Sequence, residues 1–179
     1  MQKGFTIWFT GLSGAGKTTL SGLLHHQLQE KGVTNVEVLD GDALRTHLSK
    51  GLGFNREDTD TNILRIGWVA HLLTKNRVPN LVSAVSPYRA SRDEVRAMIE
   101  RAAGAGSFVE VFVDCPAEVC EKRDVKGIYA RAKISGTKHI DDPYEPPHRP
   151  EVHVKTDEVT PEQGVNMIVA HLKSKGLIG

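Results

Sequence analysis

The chain is poor in cysteine, in aromatic residues and in net charge, and it has no long apolar run. Its two cysteines, Cys115 and Cys120, are five positions apart, which is neither a zinc-ligand spacing nor a thioredoxin spacing. We expect both to be buried, reduced side chains of a cytoplasmic protein. The formal net charge of +1 offers no footprint for nucleic acid or an anionic membrane, so neither is expected as a partner.

The composition is otherwise ordinary, with 39% hydrophobic and 25% charged residues over 179 positions. Such a chain predicts one domain, residues 1–179, with its own apolar core. Apolar periodicity predicts strands at 5–10, 36–40, 80–85, 108–113 and 151–155. It predicts helices at 18–31, 43–48, 62–76, 91–103, 116–123 and 161–175. This alternation favours an α/β fold with a parallel sheet flanked by helices on both faces, and ligands beyond the carboxyl ends of the strands.

The segment GLSGAGKT at 11–18 follows the first predicted strand and opens the first helix. Its glycines allow successive backbone N–H groups to face one anion, and the helix amino end adds a positive dipole. Lys17 has the length to reach the β- and γ-phosphates, and the Thr18 hydroxyl is a ligand type that suits Mg²⁺. The sequence therefore predicts a phosphate-binding loop and a fold of the P-loop NTPase type.

Two carboxylates, Asp40 and Asp42, end the second predicted strand on either side of Gly41. Beside bound phosphates such groups can hold Mg²⁺ or accept a proton from an attacking hydroxyl. The alternative is that Asp42 caps the helix at 43–48. The nearby loop and Arg45 favour a functional role.

Other candidates also follow strands. Phe54 lies in a glycine-rich connector, where it either stacks on a base or plugs the core. Arg89 and Arg92 flank a helix start and are candidates for an anionic substrate, and Arg123 for adenine or phosphate. Each is alternatively a solvated surface residue. The eight histidines form no convincing metal site.

Residues 124–150 lack apolar periodicity and contain several basic residues. A loop of this length inside a compact domain is usually functional or disordered. We interpret it as a mobile lid that closes over phosphates, with a solvated surface excursion as the alternative.

The chain resembles the adenylylsulfate kinase (APS kinase) family in several segments that occur in the family's order. They are GLSGAGKT at 11–18, LDGD at 39–42 with Arg45, LGF at 52–54, SPYR at 86–89, EVFVD at 110–114, CEKRD at 120–124 with KG at 126–127, and DDPYE at 141–145. The resemblance implies transfer of the ATP γ-phosphoryl group to the 3′-hydroxyl of adenosine 5′-phosphosulfate (APS). It also implies Mg²⁺, a homodimer, and an association or fusion with ATP sulfurylase.

The resemblance also implies site residues. The catalytic residues would be Lys17, Asp42 and Ser86, and Mg²⁺ would be held by Thr18 and Asp42. ATP would be bound by Gly11, Leu12, Ser13, Gly14, Ala15, Gly16, Lys17, Thr18, Thr19 and Arg123. The substrate would be bound by Asp40, Arg45, Phe54, Asn62, Val85, Ser86, Arg89 and Lys126. Ser86 matches a serine described in the family as a phosphorylated intermediate, but direct in-line transfer needs no covalent step.

Four positions depart from the family pattern, mainly on the acceptor side. Thr59 and Leu64 stand where the family usually has arginine, Ser135 replaces a lid lysine, and Thr137 replaces the second aromatic residue of an adenine clamp. Two further hypotheses therefore stay open beside an APS kinase. One is a P-loop kinase with a different nucleotide-like or small hydroxyl acceptor, and the other is a nucleotide-binding regulatory domain without turnover.

Overall fold

The structure is a computed structural model, and it describes residues 2–124, 127–135 and 143–179. The strands are β1 (Thr6–Thr10), β2 (Glu37–Asp40), β3 (Asn80–Ser83), β4 (Phe108–Asp114) and β5 (Val152–Lys155). The helices are α1 (Lys17–Glu30), α2 (Gly41–His47), α3 (Arg56–Lys75), α4 (Arg89–Ala103), α5 (Ala117–Arg123), α6 (Ile128–Ser135) and α7 (Pro161–Ser174). No helix in these ranges is both long and apolar enough to span a membrane.

All strands pair in parallel, in the order β2-β3-β1-β4-β5. The central strand β1 is buried throughout because helices cover both faces of the sheet. On one face, Ile7 and Phe9 share a core with residues of α1 and α7. On the other face, Trp8 shares a core with residues of α3 and α4. The predicted parallel sheet with helices on both faces is confirmed.

Several predicted boundaries shift by one or two residues, and α3 shifts by more. It begins at Arg56 instead of 62, because the Asn55 side chain accepts a hydrogen bond from the Asp58 N–H at 2.8 Å and caps the amino end. The first turns of α3 are polar and partly exposed, so they carry no apolar periodicity. The sequence pattern therefore revealed only the part of α3 that packs on the sheet.

The predicted lid contains more regular structure than its composition indicated, since residues 128–135 form α6. The chain that follows at 143–150 has no regular structure but is attached to the body. The Glu145 N–H donates to the Pro87 carbonyl at 2.8 Å, and the Arg92 guanidinium donates to the Glu145 carbonyl at 2.7 Å. Movement of the lid stays a prediction.

Candidate active site

The loop between β1 and α1 is shaped by glycine at positions that other residues tolerate poorly. Gly14 has φ +81°, and a Cβ there would lie 2.9 Å from the Cys120 carbonyl oxygen. Helix α1 starts directly after Gly16 and has no side-chain cap among the described residues, and no acidic residue in its first turn. The amides at this helix end therefore suit an anion.

Lys17, the first residue of α1, folds back over the loop. Its ammonium group donates to the carbonyl oxygens of Gly11 and Leu12 at 2.9 and 2.8 Å. These bonds hold the positive charge at the mouth of the loop. The loop amides, the helix end and the ammonium group are thus brought together in an arrangement that suits an anion, and phosphate binding by these residues stays a prediction.

The capping alternative, in which Asp42 caps the second helix, applies to the neighbouring carboxylate Asp40 at the end of β2. The residue that caps α2 is Asp40, whose Oδ1 accepts from the N–H groups of Asp42 and Ala43 at 3.0 and 3.3 Å. Its Oδ2 lies 3.4 Å from the Thr18 hydroxyl, which donates to it. Asp42 is the first-turn acid of α2, is exposed, and lines the cavity described next.

A cavity of about 720 Å³ opens at the carboxyl end of the sheet, which is the edge expected for a ligand in this fold. Most of the predicted site residues line it. They are Leu12, Ser13, Gly14, Gly16, Lys17, Thr18, Thr19, Asp40, Asp42, Arg45, Phe54, Asn62, Val85, Ser86 and Arg123. Gly11 and Ala15 belong to the same loop but are buried and do not line the cavity. Lys126 and Thr137 lie outside the described residues, as does the side chain of Ser135.

Phe54 is not a core plug, because 49% of its surface is exposed and it lines the cavity. The Arg45 guanidinium lies 4.0 Å from the ring centroid and donates to the carbonyls of Leu52 and Gly53. The Asp58 carboxylate accepts from the Gly53 N–H at 2.8 Å. The connector is thus held from two sides, so Phe54 is presented in a defined position.

Asn62 lies on α3 beside Thr59, and both line the cavity. Asn62 is only 8% exposed, and its amide oxygen has no hydrogen-bond partner among the residues that the structure describes. A buried amide oxygen without a partner costs free energy unless a ligand satisfies it. Thr59, which stands where the family usually has arginine, lines the same cavity as Asn62.

Ser86 occupies a strained turn after β3, with φ +43° and 2% exposure. Its hydroxyl oxygen accepts from the Trp8 indole N–H at 3.0 Å and lies 3.0 Å from the Thr10 hydroxyl. A hydroxyl held in this way shapes the cavity wall and is poorly placed to attack a phosphate. These contacts support direct transfer, not a phosphorylated serine.

The prediction that Arg92 meets an anionic substrate is wrong. Arg92 is 2% exposed, and its Nε donates to the Glu110 carboxylate at 2.7 Å inside the protein. Arg89 is not part of the cavity wall. Its guanidinium lies against Glu145 and His148, with Nε 3.7 Å from the Glu145 carboxylate. Both arginines fix the chain at 143–148 to the start of α4.

Two tyrosines of the predicted lid line the cavity, although sequence reasoning assigned neither a role. The Tyr129 hydroxyl donates to the Ser13 carbonyl in the phosphate loop at 2.8 Å. The Tyr144 hydroxyl lies 3.0 Å from the Thr10 hydroxyl at the end of β1. Burial raises the pKa of each phenol to about 12, so both remain protonated at neutral pH. A signal existed only for Tyr144, which lies in the DDPYE segment.

Cys115 and Cys120 are both buried and free, as predicted. Burial, together with the neighbouring Cys115, raises the pKa of Cys120 to about 12, which makes it an inert thiol. No cluster of three or more His, Cys, Asp or Glu side chains suited to a metal occurs in the described ranges 2–124, 127–135 and 143–179.

A parallel sheet of this order, a phosphate loop on its central strand, and carboxylates and an arginine across one cavity define a P-loop kinase. The sequence model of the adenylylsulphate kinase family matches residues 3–155. The chain belongs to that family.

Individual relatives agree with this assignment. An adenylyl-sulfate kinase of Synechococcus sp. (strain JA-2-3B'a(2-13)) is 54% identical, over 99% of each chain. An adenylyl-sulfate kinase of Rippkaea orientalis is 56% identical, over 99% of this chain and 96% of that protein. The Mycobacterium tuberculosis APS kinase solved in complex with AMPPNP and APS is 39% identical, with a TM-score of 0.87 over 97% of this chain and 99% of that one.

Proposed function

We propose that the chain is an adenylylsulfate kinase, which transfers the γ-phosphoryl group of ATP to the 3′-hydroxyl of APS and so forms 3′-phosphoadenosine 5′-phosphosulfate (PAPS). The observation that carries this proposal is the cavity, whose wall joins the phosphate loop to the residues predicted for the acceptor. The relatives named above bear the same activity in their names. The M. tuberculosis enzyme was solved with both ligands.

The order of the strands supports a two-sided arrangement of the ligands. The phosphate loop follows the central strand β1, while β2 and β3 end on one side of it and β4 and β5 on the other. Asp42, Arg45 and Phe54 follow β2 and therefore lie on the first side, which we assign to the acceptor. Arg123 is the last residue of α5, which follows β4 on the other side, and we assign that side to the base of ATP.

The residues on the acceptor side then have defined tasks. Phe54 stacks on the acceptor adenine, and the Asn62 amide oxygen and Arg45 bind its polar groups. Asp42 accepts the proton of the 3′-hydroxyl as that oxygen attacks the γ-phosphorus, and the bond from the γ-phosphorus to the bridging oxygen breaks so that ADP leaves. The loop amides and Lys17 stabilise the charge on the transferring group, so that catalysis rests on positioning and electrostatics.

The donor set also fits Mg²⁺, which prefers hydroxyl, carboxylate and phosphate oxygens in a loose protein shell. The Thr18 hydroxyl and the Asp40 carboxylate are 3.4 Å apart, and Asp42 lines the same cavity. We infer that Thr18 holds the ion directly and that Asp42 holds it through water, with Asp40 beside them, so that the Asp42 carboxylate stays available to accept the proton. When bound, Mg²⁺ would neutralise part of the triphosphate charge.

The test is an assay of the purified protein with ATP, Mg²⁺ and APS. The 3′-phosphorylated product is separated by chromatography and identified by mass spectrometry. Wild type should form that product. Asp42→Asn should lower kcat by roughly 10²- to 10⁴-fold, as loss of a general base does, while it still binds ATP. Absence of product at saturating APS would refute the proposed acceptor. A parallel screen of other nucleotides and small hydroxyl compounds separates a different kinase from a regulatory domain, which would turn over none of them.

A homodimer, an association with ATP sulfurylase, a single domain over 1–179 and a cytoplasmic location stay predictions of the same proposal. Light scattering of the purified protein measures the first of these directly. A mass of twice 19.6 kDa would support the dimer.

A further inference from the structure

Thr156 is the first residue after β5, and it ties together two segments that are remote in sequence. Its backbone N–H donates to the Asp114 carbonyl at the end of β4, at 2.9 Å. Its hydroxyl donates to the Ala15 carbonyl inside the phosphate loop, at 2.7 Å. Both the main chain and the side chain of Thr156 are therefore fixed relative to the loop that would hold the triphosphate.

The same residue holds the guanidinium group of Arg123, the last residue of α5. Arg123 donates one N–H to the Thr156 hydroxyl oxygen at 3.1 Å and another to the Thr156 carbonyl oxygen at 2.8 Å. A guanidinium group only donates, so the direction of both bonds from Arg123 is fixed. The Thr156 hydroxyl proton has two carbonyl acceptors, Ala15 at 2.7 Å and Asp114 at 3.4 Å, and with either of them a hydroxyl lone pair is left for Arg123.

Two bonds through its N–H edge fix the plane of a guanidinium group, and they leave its faces for stacking. Arg123 is exposed toward the cavity and lines its wall, as do Thr156, Val159 and Pro161. Val159 and Pro161 make this part of the wall apolar. A flat, planar cation beside apolar side chains suits a purine ring better than it suits another phosphate.

We propose that Thr156 is a positioning residue for the nucleotide base: it fixes the plane of Arg123 against the phosphate loop, so that base and triphosphate are bound at a set separation. This inference rests on the proposed ATP site and adds a residue to it. In this proposal Thr156 affects the nucleotide only through Arg123. Removal of the Thr156 hydroxyl should therefore weaken recognition of the base and leave recognition of the phosphates intact.

The experiment measures, by isothermal titration calorimetry and without any acceptor, how tightly two ligands bind to five proteins. The proteins are wild type, Thr156→Val, Thr156→Ser, Arg123→Ala and the Thr156→Val/Arg123→Ala double variant. Valine keeps the shape of threonine and removes the hydroxyl, whereas serine keeps the hydroxyl. The ligands are ATP and inorganic tripolyphosphate, which lacks the base. Circular dichroism melting shows whether each variant is folded.

Thr156→Val should weaken ATP binding by about five-fold, the worth of one hydrogen bond, and leave tripolyphosphate binding unchanged. Thr156→Ser should restore ATP binding to within about two-fold of wild type. In the Arg123→Ala background the valine substitution should have no further effect, because the residue it acts through is gone.

If Thr156→Val weakened the binding of ATP and of tripolyphosphate equally, the inference would be overturned, since the effect would then act through the Ala15 carbonyl and the phosphate loop. An undiminished effect of valine in the Arg123→Ala background would also overturn it, and so would unchanged ATP binding in Thr156→Val. Because no acceptor is present, these results are independent of whether wild type phosphorylates APS. A failed APS assay with a positive binding result would reject the acceptor and keep the role of Thr156.

Discussion

The buried ion pair between Arg92 and Glu110 should be the most sensitive polar contact of the fold. Arg92 donates to the Glu110 carboxylate at 2.7 Å, and its other nitrogens donate to the carbonyls of Ser86 and Glu145. The two side chains of the pair are 2% and 8% exposed. Replacement of Glu110 by glutamine keeps the shape of the side chain but leaves the buried guanidinium charge without the carboxylate with which it is paired.

The size of the effect follows from this burial. Removal of one partner of a buried pair costs about 3–5 kcal/mol, and the retained amide oxygen and the two carbonyl acceptors place Glu110→Gln near 3 kcal/mol. For a chain of this length, 1 kcal/mol lowers Tm by roughly 2–4 °C, so Tm should fall by about 6–12 °C. The loss should also loosen the turn at Ser86 and the chain at Glu145, which both depend on Arg92.

The assay is urea unfolding followed by circular dichroism at pH 7, with Glu100→Gln as the matched control. Glu100 also pairs with a helix α4 arginine, Arg96, but at 3.9 Å and in a more exposed position. The control should lose less than about 0.5 kcal/mol. If Glu110→Gln lost no more free energy of unfolding than Glu100→Gln does, the reasoning from burial would be refuted.

Three other substitutions test the site and its support. Phe54→Ala should raise the KM for APS roughly 5- to 150-fold, the worth of one stacked base, while ATP binding stays unchanged; a Tm drop above a few degrees would mean that Phe54 is structural after all. Tyr144→Phe should cost about 1 kcal/mol in urea unfolding because it removes the hydroxyl contact with Thr10, and an unchanged midpoint would show that this contact contributes nothing. The third substitution is Glu151→Gln. Burial raises the pKa of Glu151, but hydrogen bonds from the Arg96 side chain and the Glu110 N–H outweigh burial and hold that pKa below its ordinary value of 4.5. The folded pKa is thus the lower one, so the stabilisation is present above pH 4.5 and disappears as the pH falls through the folded pKa; Glu151→Gln should be destabilised at pH 7 and approach wild type in acid, and a pH-independent difference would contradict this.

Much of the fold followed from local patterns. Buried strands such as β1 and amphipathic helices such as α7 were located within one or two residues, because the sheet and its covering helices impose clear apolar periods. The start of α3 was missed, since its first turns are capped by Asn55 and do not pack on the sheet. Helix α6 was missed for a related reason, because its apolar residues follow no single face.

Arginines were the least predictable part of the site. From the sequence, Arg89, Arg92 and Arg123 were equivalent cations that follow strands or short helices. In the fold, Arg92 is buried against Glu110, Arg89 supports the chain at Glu145, and Arg123 alone of the three reaches the cavity. A long flexible side chain takes its role from the acceptors around it, and those acceptors come from distant segments.

The donor half of the site was readable from the chain alone, because the phosphate loop is a contiguous segment whose backbone amides and Lys17 carry its chemistry. The supports of the cavity were not readable in this way. Tyr144 meets Thr10 across 134 positions, and Thr156 meets Ala15 across 141. Such contacts exist only once the strands are ordered in the sheet, because strand order decides which loop ends become neighbours. Packing therefore decided which groups Thr156 and Arg92 contact, while the local chemistry of the loop was enough to predict phosphate binding.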